Sequence, residues 1–444
     1  MNVLLKSESV SFWQAFMFWF KLGFISFGGP AGQIALMHEE LVVRRKWLSE
    51  KRFLHALNYC MVLPGPEAQQ LATYIGWLMH KTRGGIAAGV LFVLPSLFLL
   101  MGLSWLYIAY GEVTWVAGLF YGIKPAVAAI VLQAAYRIGS RVLQNNLLWA
   151  MATASFVAIF AMNVPFPIIV LAAASIGFVG GRLSPSSLRM GGGHAATAHS
   201  TGTALIDDDT PTPSHALFTW KRLWQVLLAA AALWLLPMSL LIFQFGWDHT
   251  FTQMSWFFTK AALLTFGGAY AVLPYVFQGA VEQFGWVTAT QMIDGLALGE
   301  TTPGPLIMVV TFVGFVGAYA QALLGPDSLF LAGALAATLV TWFTFLPSFI
   351  FILAGGPFVE STHNDLKFTA PLTAITAAVV GVILNLALFF GYHTIWPQGF
   401  GAPLDITSAL IAFGAAIALL KYKLNVIQVI AVCGLLGVLI KHWI

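Results

Sequence analysis

The chain has 444 residues, of which 59% are hydrophobic and only 9% are charged, and its formal net charge is +4. A soluble domain carries about 25% charged residues, so the composition excludes an ordinary soluble fold and indicates a membrane protein with many helices. The small net charge gives no reason to expect nucleic acid as a partner, and the expected surrounding is the lipid bilayer.

Thirteen apolar segments approach the length of roughly 20 residues that a membrane-spanning helix needs. They are residues 12–36, 53–79, 85–110, 113–136, 147–162, 165–181, 223–245, 251–276, 289–322, 329–354, 367–392, 404–420 and 424–440. The sequence therefore predicts an all-α integral membrane protein with about 13 transmembrane helices. The first segment is expected to be retained, because the residues before it lack a signal-peptide cleavage pattern.

A polar stretch, residues 182–214, separates six of these segments from the remaining seven. It is rich in Gly, Ser and Thr without periodicity, so we predict a flexible linker. His194 and His199 lie there without further ligands at metal-binding spacing, and we expect no metal site. The expected domains are an N-terminal repeat (1–181), the linker with one connecting helix (182–250) and a C-terminal repeat (251–444).

The two halves repeat helix breakers and a lysine inside apolar sequence. At an offset of 239 the pairs are Lys21 and Lys260, Phe27-Gly28-Gly29 and Phe266-Gly267-Gly268, and Pro64-Gly65-Pro66 and Pro303-Gly304-Pro305. At an offset of 252, Leu94-Pro95-Ser96 returns as Leu346-Pro347-Ser348. Six spans and a connecting seventh place the second half on the opposite side of the membrane, which predicts two inverted-topology repeats with broken helices.

Lysine and arginine residues in short loops predict the orientation. The side that holds the N-terminus carries Lys6, Lys81, Arg83, Arg137, Arg141, Arg182, Arg189, Lys221, Arg222, Lys421 and Lys423. The other side carries Lys441 and one cluster, Arg44, Arg45, Lys46, Lys51 and Arg52. We therefore predict a cytoplasmic N-terminus and an outside C-terminus.

The basic cluster at 44–52 does not fit this count, unless residues 12–36 or 53–79 dip into the membrane and return. An amphipathic helix at the membrane surface is one interpretation of the cluster. A basic entrance that concentrates anions is the other.

The repeated breaks are candidates for a substrate site. Irregular backbone at membrane depth is tolerated only where protein or a water-filled cavity surrounds it. A helix that restarts there presents free N–H groups and the positive end of its dipole, which suits an oxyanion. A packing kink is the alternative for any single break. The candidate residues at the breaks are Gly28, Gly29, Pro64, Gly65, Pro66, Gly267, Gly268, Pro303, Gly304 and Pro305, with Gln69, Gln70, Thr301 and Thr302 as polar groups that orient the substrate.

Lys21, Lys124 and Lys260 lie inside apolar spans. A lysine at the bilayer centre costs roughly 2.5–3.5 kcal/mol, so these residues are functional candidates that supply positive charge to the site. A lysine that snorkels or forms a structural ion pair is the alternative. Glu67 and Glu300 are the candidate counter-charges, and protonation of these acids is a hypothesis for coupling proton and anion movement.

No phosphate-binding loop, dinucleotide-binding glycine pattern, haem motif or catalytic triad spacing is present in the sequence. We therefore expect neither an enzyme nor a cofactor, and an ion gradient or the membrane potential must drive any transport.

At these motifs the chain resembles the long, two-domain form of the chromate ion transporter family. In the first half the matching segments are Phe24-Ile25-Ser26-Phe27-Gly28-Gly29-Pro30, Met37-His38-Glu39-Glu40, Leu63-Pro64-Gly65-Pro66-Glu67-Ala68-Gln69-Gln70-Leu71-Ala72 and Gly122-Ile123-Lys124-Pro125-Ala126-Val127. In the second half they are Thr265-Phe266-Gly267-Gly268, Gly299-Glu300-Thr301-Thr302-Pro303-Gly304-Pro305 and Ile375-Thr376-Ala377-Ala378-Val379-Val380-Gly381.

The resemblance implies a secondary transporter of the inner membrane, of the antiporter kind, that exports chromate and confers chromate resistance. Sulfate has the same tetrahedral dianion shape, so a sulfate or other oxyanion carrier is an alternative. A passive anion channel and a membrane chromate reductase are alternatives of other classes. The oligomeric state stays open, with a homodimer as one option.

Overall fold

The computed structural model describes residues 10–183, 204–207, 210, 213–361 and 369–443. Sixteen α-helices account for most of these residues. They are α1 (Phe12–Ile25), α2 (Gly29–His38), α3 (Glu50–Val62), α4 (Glu67–Tyr110), α5 (Thr114–Val142), α6 (Asn146–Met162), α7 (Phe166–Leu183), α8 (Trp220–Phe245), α9 (Thr250–Leu263), α10 (Ala269–Phe277), α11 (Ala289–Thr301), α12 (Val309–Ala320), α13 (Leu329–Ser361), α14 (Thr369–Ile395), α15 (Ile406–Leu420) and α16 (Val426–Trp443). The described residues form no β-strand longer than one isolated bridge, between Leu48 and Ile206.

Six of these helices, α4, α5, α8, α13, α14 and α16, are long and apolar enough to cross a membrane. The helices α6, α7 and α15 are shorter and also apolar. The predicted all-α membrane protein is therefore confirmed at this level. Most of the predicted linker, including its glycine run at 191–193 and both of its histidines, lies outside the described residues.

The order of elements in the first half returns in the second. A π-helix follows α2 at Glu39–Arg44, and another follows α10 at Gln278–Gln283. Both end alike, since Arg45 N donates to Glu40 O at 3.0 Å and Phe284 N donates to Gly279 O at 2.9 Å. The repeat in the sequence therefore corresponds to a repeat in the structure, which includes the two uncommon π-helices.

Helix α4 reverses direction within its length. His80 and Lys81 are not helical, and Lys81 adopts a φ of +56°. The two segments then pack against each other, because a Cβ on Gly76 would lie 2.5 Å from Gly84 O. In the second half this reversal becomes a loop between α12 and α13. The repeat offset changes from 239 to 252 at this point.

Each half begins with two helical hairpins. They are α1 with α2, α3 with the segment of α4 before His80, α9 with α10, and α11 with α12. Aromatic contacts show the return of the chain, with ring centroids 5.7 Å apart for Tyr59 and Tyr74 and 4.7 Å apart for Phe257 and Tyr275. We call the breaks at 26–29, 63–66, 265–268 and 302–305 the four tips.

The helices α5, α6, α7, α14, α15 and α16 form a bundle beside the hairpins. The repeat-equivalent helices α5 and α14 are its most buried members. Small residues allow close packing, as at Gly122, where a Cβ would lie 1.9 Å from Cys433 O. The hairpins lie against this closely packed bundle.

The basic loop at 44–52 lies beside the linker. Leu205 N donates to Lys46 O at 3.0 Å, and Ser49 N donates to Ile206 O at 3.0 Å. Much of the basic charge is paired, since Arg44 contacts Glu39 at 3.1 Å and Glu40 at 3.0 Å. The loop and the linker are therefore in direct contact. The prediction of thirteen complete crossings had put them on opposite sides of the membrane.

Candidate functional site

The four tips meet between the two halves of the molecule. Gly65 N donates to Thr265 O at 2.7 Å, and Gly304 N donates to Ser26 O at 2.8 Å. Both donors and both acceptors are related by the offset of 239. Each half therefore holds the break of the other through a reciprocal pair of backbone hydrogen bonds.

The helices that begin at the tips have no side-chain cap within the described structure. Their N-caps are Gly28 for α2, Pro66 for α4, Gly268 for α10 and Pro305 for the 3-10 turn Leu306–Met308 before α12. An uncapped helix start leaves backbone N–H groups without an intrahelical acceptor and carries a partial positive charge. Four such starts converge where the halves cross.

The outer ends of the same hairpins are capped. Ser11, Ser49, His249 and Thr288 are the N-caps of α1, α3, α9 and α11, and each side chain accepts a backbone N–H. A side-chain acceptor of this kind uses one of the free donors. The sequence therefore supplies caps at the outer ends and omits them at the tips.

Glycine is required at the two crossing positions. Gly65 has a φ of +128° and Gly304 a φ of +103°. A Cβ on Gly65 would lie 2.6 Å from Ser348 Oγ, and a Cβ on Gly304 would lie 2.8 Å from Ser96 Cβ. Both the conformation and the close approach exclude a larger residue.

The first half supplies the amide side chains at the tips. Gln33 Nε2 donates to Ser26 O at 3.2 Å and also to Gly304 O, and Gln70 Nε2 donates to Pro64 O at 2.8 Å. Gln69 Nε2 donates to the hydroxyl of Thr73 at 3.1 Å.

The three amide oxygens are buried and accept no hydrogen bond from the described residues. At the offset of 239 their counterparts are Val272, Met308 and Val309, so this polarity belongs to one half. Gln33 was not among the predicted residues, although its position four residues after Gly29 was a usable signal.

Both predicted acids lie near the start of α10. A Cβ on Gly268 would lie 3.9 Å from Glu67 Oε1, and the buried carboxylate of Glu300 accepts a hydrogen bond from Tyr270 OH. Glu67 is half-buried and makes no hydrogen bond with the described part of the chain. A carboxylate beside a helix N-terminus is stabilised by the helix dipole.

The three predicted lysines have different surroundings. Lys21 is exposed on α1, and Lys260 Nζ lies 5.7 Å from the centroid of the Trp256 ring. Lys124 Nζ lies 3.5 Å from Asp294 Oδ2, which also accepts from Tyr107 OH at 2.9 Å. The sequence did not single out Asp294, whose partners are more than 150 positions away.

The predicted threonines bond to their own helix. The hydroxyl of Thr301 donates to Ala297 O at 3.1 Å, and that of Thr302 donates to Gly299 O at 3.2 Å. Their positions at the end of α11 place them at a tip, with their hydroxyl protons engaged.

A second ion-paired cluster joins the halves elsewhere. Arg52 Nη1 lies 2.6 Å from Glu360 Oε2, with side-chain exposures of 10% and 1%, and Tyr74 OH donates to the other carboxylate oxygen. Each cluster therefore combines a tyrosine and a cation of the first half with a carboxylate of the second. One lies at the end of α13 and the other near the end of α4, which are equivalent places in the repeat.

Comparison with known proteins identifies a family and several relatives. Residues 13–178 and 252–438 match the family described as chromate transporter. The "Chromate transport protein" of Pseudomonas aeruginosa is 33% identical over 97% of this chain and 93% of its own. That of Cupriavidus metallidurans is 28% identical over 96% of this chain and 92% of its own.

A shorter relative bears on the repeat. An uncharacterized transporter of Bacillus subtilis is 30% identical over 125 residues, which are 28% of this chain and 64% of its own. That protein is therefore less than half as long as this chain.

No solved structure matches. The matched segments carry both pairs of tips and leave out the linker, and the chain belongs to the chromate transporter family.

Proposed function

We propose that the chain is a secondary transporter that exports chromate across the inner membrane and thereby confers chromate resistance. The observation that carries this proposal is the meeting of four uncapped helix starts at the crossed tips. Backbone N–H groups and converging helix dipoles are suited to a tetrahedral dianion. The names of the relatives in Pseudomonas aeruginosa and Cupriavidus metallidurans support chromate as that dianion.

We further propose nine complete crossings and four re-entrant hairpins in place of thirteen crossings. The hairpins of the first half begin and end on one side, as the contact of His80 Nε2 with Val10 O at 2.9 Å supports. The second half has the equivalent contact, from Thr250 Oγ1 to Gln321 Oε1 at 2.7 Å. The nine crossings are the part of α4 after Lys81, α5, α6, α7, α8, α13, α14, α15 and α16.

This arrangement removes the misfit of the basic loop. With the first two hairpins re-entrant, the loop at 44–52 shares the cytoplasmic side with the linker, and their contact supports this arrangement. The basic residues in loops then lie on the cytoplasmic side apart from Lys441, in agreement with the charge rule. In this proposal the connecting α8 crosses the membrane, which gives the second half the opposite orientation and makes the repeats inverted.

Transport in this proposal alternates between two openings at the tips. The two ion-paired clusters lie towards opposite sides of the membrane, and each joins a hairpin helix to a crossing helix of the other half. Movement of a hairpin breaks its cluster while the other cluster holds. An inside-negative potential favours the exit of a dianion by roughly 2.3 kcal/mol per charge per 100 mV.

Glu67 and Glu300 are proposed to couple proton movement to the anion. Both carboxylates lie at the start of α10, where an ionised acid repels an approaching dianion. Protonation removes that repulsion. A Glu67→Gln, Glu300→Gln double variant should lose the pH dependence of transport, and unchanged rate and pH dependence would rule out the coupling.

The function is tested with everted membrane vesicles and labelled chromate. We expect saturable uptake that collapses when the membrane potential is dissipated and that sulfate inhibits by competition. Uptake that never saturates would indicate a channel instead. Preference for sulfate, with chromate as a weak competitor, would replace chromate as the principal substrate.

Cysteine labelling tests the topology. Cys60 and Cys433 are both buried, and a variant without them provides a clean background. We expect Val43→Cys to react with an impermeant maleimide only from the cytoplasmic side and Trp443→Cys only from outside. Reaction of Val43→Cys from outside would contradict the re-entrant first hairpin.

A further inference from the structure

The repeated Leu-Pro-Ser motif places a serine behind each crossing glycine. Ser96 lies in α4 and Ser348 in α13, at the same position of each repeat. A Cβ on Gly304 would lie 3.1 Å from Ser96 Oγ, and a Cβ on Gly65 would lie 2.6 Å from Ser348 Oγ. Each serine therefore faces the tip that belongs to the other half.

Neither hydroxyl donates a hydrogen bond to any residue that the structure describes. Buried hydroxyls near the tips otherwise donate to the carbonyl four residues earlier, as Ser26 does to Leu22 O at 2.6 Å and Thr265 to Ala261 O at 2.7 Å. Ser96 is fully buried, and its Oγ has no partner among the described residues. Ser348 is 1% exposed, and its one hydrogen bond within the described part of the chain is accepted from Gln70 Nε2 at 3.5 Å.

A buried hydroxyl without a hydrogen-bond partner costs free energy. A ligand that accepts a hydrogen bond from it would recover that free energy. The oxygens of a tetrahedral dianion accept hydrogen bonds and bring no donors of their own. Each hydroxyl lies beside one of the two crossing glycines, where it could donate to an oxygen of such an ion. The backbone N–H groups at the helix starts suit the others.

We propose that Ser96 and Ser348 bind the transported oxyanion as a symmetric pair of hydroxyl donors. The inference rests on the proposed function, which identifies the tips as the anion site. It adds two side chains that neither the broken-helix motif nor the lysines indicate. The pair also fits an inverted repeat, because each opening of the transporter would then expose an equivalent hydroxyl.

The test compares Ser96→Ala and Ser348→Ala with Ser104→Ala. Ser104 is a matched control, because it lies in the same helix as Ser96, is fully buried and also has an Oγ without a partner in the described structure. It lies eight residues farther along, about 12 Å away. Binding of chromate and of sulfate to the purified protein is measured together with the KM of vesicle transport.

We expect each tip variant to raise the dissociation constant and the KM by about tenfold or more, the loss expected for a hydrogen bond to a charged group. Ser104→Ala should match the wild type, and all three variants should unfold at similar temperatures. Equal constants for Ser96→Ala, Ser348→Ala and Ser104→Ala would overturn the proposal.

The two anions separate this proposal from the proposed function. Serine-dependent binding of sulfate without chromate binding would support the hydroxyl pair and refute chromate as substrate. Unchanged chromate transport by both serine variants would support the proposed function and refute the role of the two hydroxyls. A wild-type protein that binds neither anion would refute both.

Discussion

The outer ends and the tips of the four hairpins differ in how their helices begin. At the outer ends Ser11, Ser49, His249 and Thr288 satisfy the first backbone N–H groups of their helices. At the tips the described helix starts have glycine or proline at the N-cap and no side-chain acceptor. The difference is what we expect if the outer ends serve stability and the tips bind the proposed ligand. Changes in the two regions should therefore affect different measurements.

The largest expected effect on stability lies towards the outer ends. Arg52→Gln leaves the buried Glu360 with Tyr74 as its remaining partner among the described residues, and loss of one partner of a buried ion pair costs about 3–5 kcal/mol. We expect a marked drop in the unfolding temperature in detergent. A second change, Glu360→Gln, should restore most of it, and a double variant as unstable as the single one would contradict the ion-pair explanation.

The largest expected effect on transport lies at the tips. Ala at Gly65 or Gly304 requires an unfavourable φ and collides with Ser348 or Ser96. A displacement of about 1 Å in a site can cost a factor of roughly a hundred, and we expect vesicle transport to fall by about that factor. Gly102→Ala is the control, because nothing lies within 4 Å of its added Cβ. Normal transport by both tip variants would show that the tips do not take part in substrate transport.

The lysines should have a smaller effect. Lys21 is exposed and Lys260 lies over Trp256, so we expect both to act on an anion only through long-range electrostatic potential. Removal of an exposed charge is worth up to about 1 kcal/mol, and Lys21→Gln or Lys260→Gln should raise the KM roughly fivefold. Met substitutions of similar length test whether charge or packing is lost. Unchanged transport in both Gln variants would refute the lysine role.

The smallest effect is expected at the caps. Ser49→Ala and Thr288→Ala each remove a cap worth about 1 kcal/mol of stability. The KM for chromate should not change, because neither residue lies at a tip. A changed KM with unchanged unfolding temperature would erase the distinction between the two regions.

Much of the architecture could be predicted because the repeated residues are ones that break helices. Phe-Gly-Gly and Pro-Gly-Pro act locally, so their spacing indicated both the breaks and the halves. The change of offset also had a structural meaning, since α4 reverses at His80 where the second half has a loop. The site at the breaks followed from the same residues and stays a proposal.

Other features depend on contacts between distant residues, which a single sequence does not encode locally. Lys124 has its acid partner at Asp294, and the basic loop contacts the linker at Ile206. The count of crossings treated every long apolar segment as a span, although a segment with a break at its centre is long enough to enter and return. The Leu-Pro-Ser repeat was visible, but only the tertiary fold places Ser96 behind Gly304.

The central claim is that a tetrahedral oxyanion binds where the four tips meet. Equilibrium binding of labelled chromate to the purified protein tests it most directly, with wild type, Gly304→Ala and Ser49→Ala compared under the same conditions. We expect saturable binding that sulfate displaces, that Gly304→Ala loses and that Ser49→Ala keeps. Equal binding by wild type and Gly304→Ala would contradict it.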